Sequence, residues 1–111
     1  MPVYITQGRY TRDAIKGMIV KPEDRADAVS RLLAKVGGKL IGYYVTFGEY
    51  DFLTIAEAPN NMQMAAALMA AGAGGGVTDL RTTVALTSVE AKGAFAAASD
   101  IAPGFKSAGG T

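Results

Sequence analysis

The chain has 111 residues, half of them hydrophobic and 19% charged, with a net charge of +1; this is the size and balance of one globular domain with a single core. It contains no Cys, His or Trp, which excludes disulfides, thiolate nucleophiles, Cys/His zinc sites, imidazole acid–base chemistry and His-ligated haem. Any proton transfer in these residues falls to Asp, Glu, Tyr, Lys or Arg.

In chain order, "PVYITQG" predicts a first strand that ends at Gly8. Thr11 can cap a short helix through "RDAIKGMI". A longer helix is predicted from Pro22, with Ala26, Val29, Leu33 and Val36 as its buried stripe and Gly37 or Gly38 as its stop. Residues 39–47 and 50–58 read as two strands. Gly48-Glu49 between them carries the signature of a tight two-residue turn. Asn60 or Asn61 caps "NMQMAAALMAAG", whose apolar face holds Met62, Ala65 and Met69. The loop "GAGGG" leads to a fourth strand, "VTDLRTTVAL". Thr87 and Glu90 form a capping box at the head of an alanine-rich helix that reaches about Ser99. Residues 100–111 read as a flexible or loosely docked tail.

This order is βαββαβ plus a terminal helix: an α+β fold of the ferredoxin-like kind, with a four-stranded antiparallel sheet in a single domain over 1–99. No apolar run reaches the ~20 residues of a membrane span, and the first residues lack the order of a signal peptide. A cytoplasmic protein is expected, with no membrane partner, no nucleic-acid partner at this charge, and no cofactor.

A turn at Gly48-Glu49 places Phe47 opposite Tyr50, Thr46 opposite Asp51, Val45 opposite Phe52 and Tyr44 opposite Leu53. Alternation then puts Ile41, Tyr43, Val45, Phe47, Tyr50, Phe52, Thr54 and Ala56 on one face. Leu40, Tyr44, Thr46, Asp51, Leu53 and Ile55 fall on the other. Both faces are largely apolar, yet helices cover only one face of such a sheet. A second copy packed against the open face, giving a homodimer or higher homo-oligomer, is the simplest cover. The terminal helix, with Val89 and Phe95, is the rival.

The segments "GRYTRDAIK", "GGKLIGYYVTFGEYDFLTIAEAP" and "TDLRTTVAL" resemble the GYD-domain family, with Gly48, Tyr50 and Asp51 at the motif positions. The resemblance spans about residues 3–86; the region around "GMIVKPED", the Gly-rich loop and everything from Ser88 depart from it. It implies a dimeric α/β barrel and supplies no activity.

Asp51 and Tyr50 are the candidate catalytic residues. A carboxylate against apolar walls would serve as an acid or base; the reading favoured by a position beside a tight turn is a structural carboxylate that fixes the turn, bonding the Thr46 hydroxyl or loop amides. Tyr4, Thr6, Tyr44, Thr46 and Arg81 are candidate ligand-binding residues if the faces of their strands coincide, which would form a polar patch in an apolar cleft. The alternative is that the tyrosines belong to core or interface and that Arg81 is a solvated edge charge, with Asp79 competing as its partner. No metal site is predicted, and "GAGGG" lacks the ending and the position of a phosphate loop. Three functions follow: a small-molecule binding or sensing module, a cofactor-independent isomerase or monooxygenase acting on a small aromatic or carbonyl compound, or a structural assembly protein.

Overall fold

A computed structural model describes residues 1–110; Thr111, the end of the predicted tail, lies outside them. The elements are β1 (Val3–Tyr10), α1 (Arg12–Val20), α2 (Arg25–Lys35), β2 (Lys39–Val45), β3 (Phe52–Glu57), α3 (Asn61–Ala73), β4 (Val77–Ala85), α4 (Ser88–Ile101) and the single turn η1 (Ala102–Gly104). The strands form one antiparallel sheet in the order β2-β3-β1-β4, the ferredoxin-like arrangement.

Local chemistry sets the ends of the helices. The Thr11 hydroxyl accepts from the Ala14 amide (3.2 Å), that of Thr87 from Glu90 (3.1 Å), and the Asn60 side chain from Gln63 (2.9 Å), each satisfying a donor that the first helical turn leaves free. Glu90 completes the capping box by accepting from the Thr87 amide, and that hydrogen bond holds its carboxyl below the usual carboxylate range. The second helix begins at Arg25 and not at Pro22, because the Asp24 carboxylate caps the Ala26 amide at 3.0 Å. It ends where Gly37 takes a φ of +77° and the Gly38 amide returns to the Leu33 carbonyl at 2.8 Å, the left-handed stop that glycine favours.

The core lies between the helix-side face of the sheet and α2 and α3, around Tyr4, Leu33, Ala56, Ala58, Met64 and Ala67. Three rows of cross-strand neighbours build that face: Leu40, Ala56, Tyr4 and Val84; Tyr43, Thr54, Thr6 and Thr82; and Val45, Phe52 and Gly8. The strand does not stop at Gly8. A Cβ there would sit 2.7 Å from the Phe52 ring and 2.8 Å from Leu80, so the glycine makes room for two core side chains while β1 continues to Tyr10.

Two irregularities alter the expected pairing. An extra residue, Ile41, interrupts β2 against β3. The bulge turns Leu40 onto the helix side and leaves Ile41 half exposed, the reverse of simple alternation. A second bulge on β4 opposes Gly8 with Asp79 and Leu80, and Asp79 takes a φ of +53°. The connection between β2 and β3 is also longer than two residues. Pairing holds to Thr46, whose amide donates to the Asp51 carbonyl at 2.8 Å. Residues 47–50 form the loop with Gly48 at a φ of +120°, and Phe47 points into solvent instead of pairing with Tyr50.

The other face carries Val3, Ile5, Leu53 and Ile55, with the half-exposed Tyr44. The terminal helix does not cover it: of the other elements, α4 packs appreciably only on η1. The molecule therefore measures 62 × 31 × 22 Å with a radius of gyration of 18.0 Å, against ~13 Å for a compact domain of about this length. Among the described residues, no helix is long and apolar enough to cross a membrane.

Candidate functional site

Between the helix-side face and helices α2 and α3 lies a cavity of about 320 Å3, within the size range of small-ligand pockets. Val29, Leu32 and Leu33 of α2 face Met64 and Leu68 of α3 across it, and Phe52, Val77 and Leu80 line its sheet end. Its polar lining is sparse. Thr6 and Thr54, 4% and 7% exposed, are neighbours on adjacent strands, and Thr6 shares a 2.9 Å hydrogen bond with Thr82. Tyr43 contributes its ring to the lining, and its hydroxyl hydrogen-bonds with that of Tyr10. Burial, followed by that hydrogen bond, raises the Tyr43 hydroxyl well above the ordinary tyrosine range, so it stays neutral and acts as a hydrogen-bonding group. Among the described residues, Arg25 is the only charged side chain in the lining. It is partly exposed, and a 3.4 Å contact ties it to Glu23.

The motif segment builds one end of this cavity from outside. The Asp51 carboxylate accepts from the Tyr10 amide at 2.9 Å, and its own amide donates to the Gly8 carbonyl at 2.8 Å. These two bonds stand where the regular β1–β3 ladder stops, satisfying backbone groups that would otherwise lack partners. The Arg9 guanidinium lies 5.0 Å from the centre of the Tyr50 ring and also contacts Asp79 at 3.2 Å, a cation–π contact braced by an ion pair. Phe52 then packs between Tyr10 and Tyr43, with ring centres 5.1 and 5.9 Å away. Turn, strand end and cavity wall are thus one connected unit.

The residues singled out from the sequence do not gather in one place. Thr6 lines the cavity. Tyr4 is buried in the core and donates to the Asn61 side chain at 2.6 Å. Tyr44 falls on the open face, in a row with Leu53, Gln7 and Arg81, so Tyr44 and Thr6 occupy opposite faces. The Thr46 hydroxyl donates to the Tyr50 carbonyl at 2.8 Å, not to Asp51. Arg81 is exposed, and Asp79 pairs with Arg9 and not with it. Neither Asp51 nor Tyr50 lines the cavity. Tyr43 and Thr54 shared a face in the expected register, but which face the helices would choose had no local signal. Arg25 and Tyr10 had none either.

The Gly-rich loop serves as an acceptor. Gly76 takes the Thr11 amide and Gly75 the Thr11 hydroxyl, both at 3.0 Å, which latches α1 to the loop after α3. Its carbonyls are committed to a donor, the opposite of an anion cradle. Among the described residues, no group of three or more His, Cys, Asp or Glu is placed to hold a metal ion.

The family model for the GYD domain matches residues 4–95. The chain belongs to the GYD domain family. Two solved structures share the fold at low identity. The TTHA0845 protein of Thermus thermophilus is 15% identical, with a TM-score of 0.51 over 79% of this chain and 96% of its own. Hypothetical protein PHS023 of Pyrococcus horikoshii is 13% identical, with a TM-score of 0.51 over 79% and 93%. No curated protein matches the chain. In this GYD domain the Gly, Tyr and Asp of the motif become the loop's left-handed residue, the ring beneath Arg9 and the carboxylate on the Tyr10 amide.

Proposed function

We propose that this GYD domain is a small-molecule binding module, and that its ligand is a mostly apolar molecule with one anionic end. The carrying observation is the cavity: apolar walls, a floor of threonine hydroxyls, and Arg25 as the only charge in its lining among the described residues. Such a lining suits burial of a hydrocarbon or aromatic body, and a guanidinium suits a carboxylate or sulfonate. None of the lining residues is a carboxylate, so the cavity has no Asp or Glu to act as general base; Asp51 and Tyr50 act in this reading by holding the loop on β1. The open apolar face supports a homodimer closed over it.

The test is calorimetric titration with octanoate and with 1-octanol, matched in length and different in charge. Octanoate is expected to bind roughly tenfold more tightly, the scale of one charge-assisted contact, and Arg25→Gln to remove the difference. Ala71→Phe, which fills the cavity from α3, should abolish both. If neither compound binds, or if Ala71→Phe binds as the parent does, the proposal fails.

A further inference from the structure

The terminal helix has an apolar side and nothing on it. Ala91, Phe95 and Ala98 recur at spacings of four and three along α4, with Ala94 and Ile101 beside them, which is one continuous helix face. Phe95, Ile101 and, beyond η1, Phe105 are 76%, 74% and 76% exposed. The capping box fixes where the helix starts, and from there it runs outward from the sheet. The segment carries large apolar side chains that its own domain leaves uncovered.

We propose that α4 and the residues through Phe105 form an arm that docks on a second copy of this chain. Three observations select that occupant. First, at 1.5 Å per residue a helix of this length reaches ~21 Å, enough to cross a four-stranded sheet with strands ~4.8 Å apart. Second, the chain already displays uncovered apolar surface in several places besides the arm: the open sheet face, and Ile15 and Ile19 of α1, which share a shallow depression with Val45 of β2. A copy of the same molecule therefore supplies surface for the arm, and a two-fold axis buries two arms at once. Third, the area is of the right order. Burying Phe95 and Phe105 removes roughly 300–500 Å2 per protomer, so two arms provide a large part of the ~1,200–2,000 Å2 of a stable interface. The alanine side of α4 lets its backbone lie close to whatever surface it meets.

The choice of partner rests on the homodimer reading, and the experiment separates the two. The chain has no cysteine, so Ala98→Cys places a single thiol on the apolar side of α4. Its maleimide labelling rate is followed from nanomolar to high micromolar protein, alongside sedimentation. Docking on a second copy predicts labelling that slows at least about tenfold in step with association, as mass action requires, and Phe95→Asp in the same chain restores fast labelling at every concentration. Protection that persists where sedimentation shows a monomer means the arm folds back on its own domain and overturns the proposal. An associated chain whose thiol stays fully reactive overturns it too, while leaving the sheet-face dimer standing. Leu53→Asp tests that dimer alone: if association and concentration-dependent protection both survive it, the arm holds and the sheet-face reading fails.

Discussion

The two faces of the sheet use the same strands and both carry large apolar residues, yet they differ in what completes them. On the helix side the large residues find partners within the chain: Phe52 packs between two tyrosine rings, Tyr4 bonds Asn61, and Thr6 bonds Thr82. On the other side Leu53, Ile55, Ile5 and Tyr44 share the surface with the polar Gln7, Arg81, Lys39 and Glu57. Apolar side chains alone do not say what completes a face: α2 and α3 pack over one, and among the described residues no helix packs appreciably over the other.

Substitutions separate the two faces by what they disturb. The largest effect on folding is expected at Phe52. Phe52→Ala removes a ring from the buried side and should cost about 3–5 kcal/mol in chemical denaturation; a loss below ~1 kcal/mol would mean that the helix side is loosely packed. Next comes Asp51→Ala, which leaves the Tyr10 amide without an acceptor and should cost about 1–3 kcal/mol. Asp51→Asn keeps an acceptor oxygen and should recover most of that in the same assay; if Asn and Ala are equally damaging, the carboxylate's charge matters and not the hydrogen bond.

A smaller effect, about 1 kcal/mol, is expected from Tyr43→Phe through the lost hydroxyl pair. It carries a pH signature. The folded state raises the Tyr43 hydroxyl above its ordinary value, so the unfolded chain ionises first and its contribution to stability is lost as pH rises beyond ~10. Thermal melts across that range should fall less steeply for Tyr43→Phe than for the parent. The smallest effect on the isolated fold belongs to Leu53→Asp. On the open face it should change monomer stability by under about 1 kcal/mol, while sedimentation at micromolar concentration shows association lost. An unfolded Leu53→Asp protein would erase the distinction between the faces.

Much of the fold was legible because it is written locally. Thr11, Asn60, Thr87 with Glu90, and Gly37 each satisfy backbone groups within a few residues, and the pairing of Val45 with Phe52 and Tyr44 with Leu53 follows from the turn between them. What escaped depends on distant partners. The bulges at Ile41 and Asp79 answer to neighbouring strands, and Gly8 looked like a strand end because the ring of Phe52 that fills its place lies more than forty residues away. The cavity was less legible still: Thr6 was among the candidates, whereas Arg25 at the head of α2 and Tyr43 within β2 reach it from elements that the sequence places far from Thr6. The motif left two readings of Asp51 open, an acid or base and a turn-fixing carboxylate; the hydrogen bonds it makes, to the Tyr10 amide and the Gly8 carbonyl, are those of a clasp.

The bulges have a consequence for how copies of this molecule can meet. Both lie on outer strands, Ile41 on β2 and Asp79 on β4. A strand with an extra residue bends and breaks the even spacing of its free amides and carbonyls, so another strand cannot zip along its whole length. Ribbon-like growth edge to edge, the route to fibrils, is thereby blunted at both margins. The two margins along which copies of a chain with this much uncovered hydrocarbon could pair strand to strand are therefore both uneven.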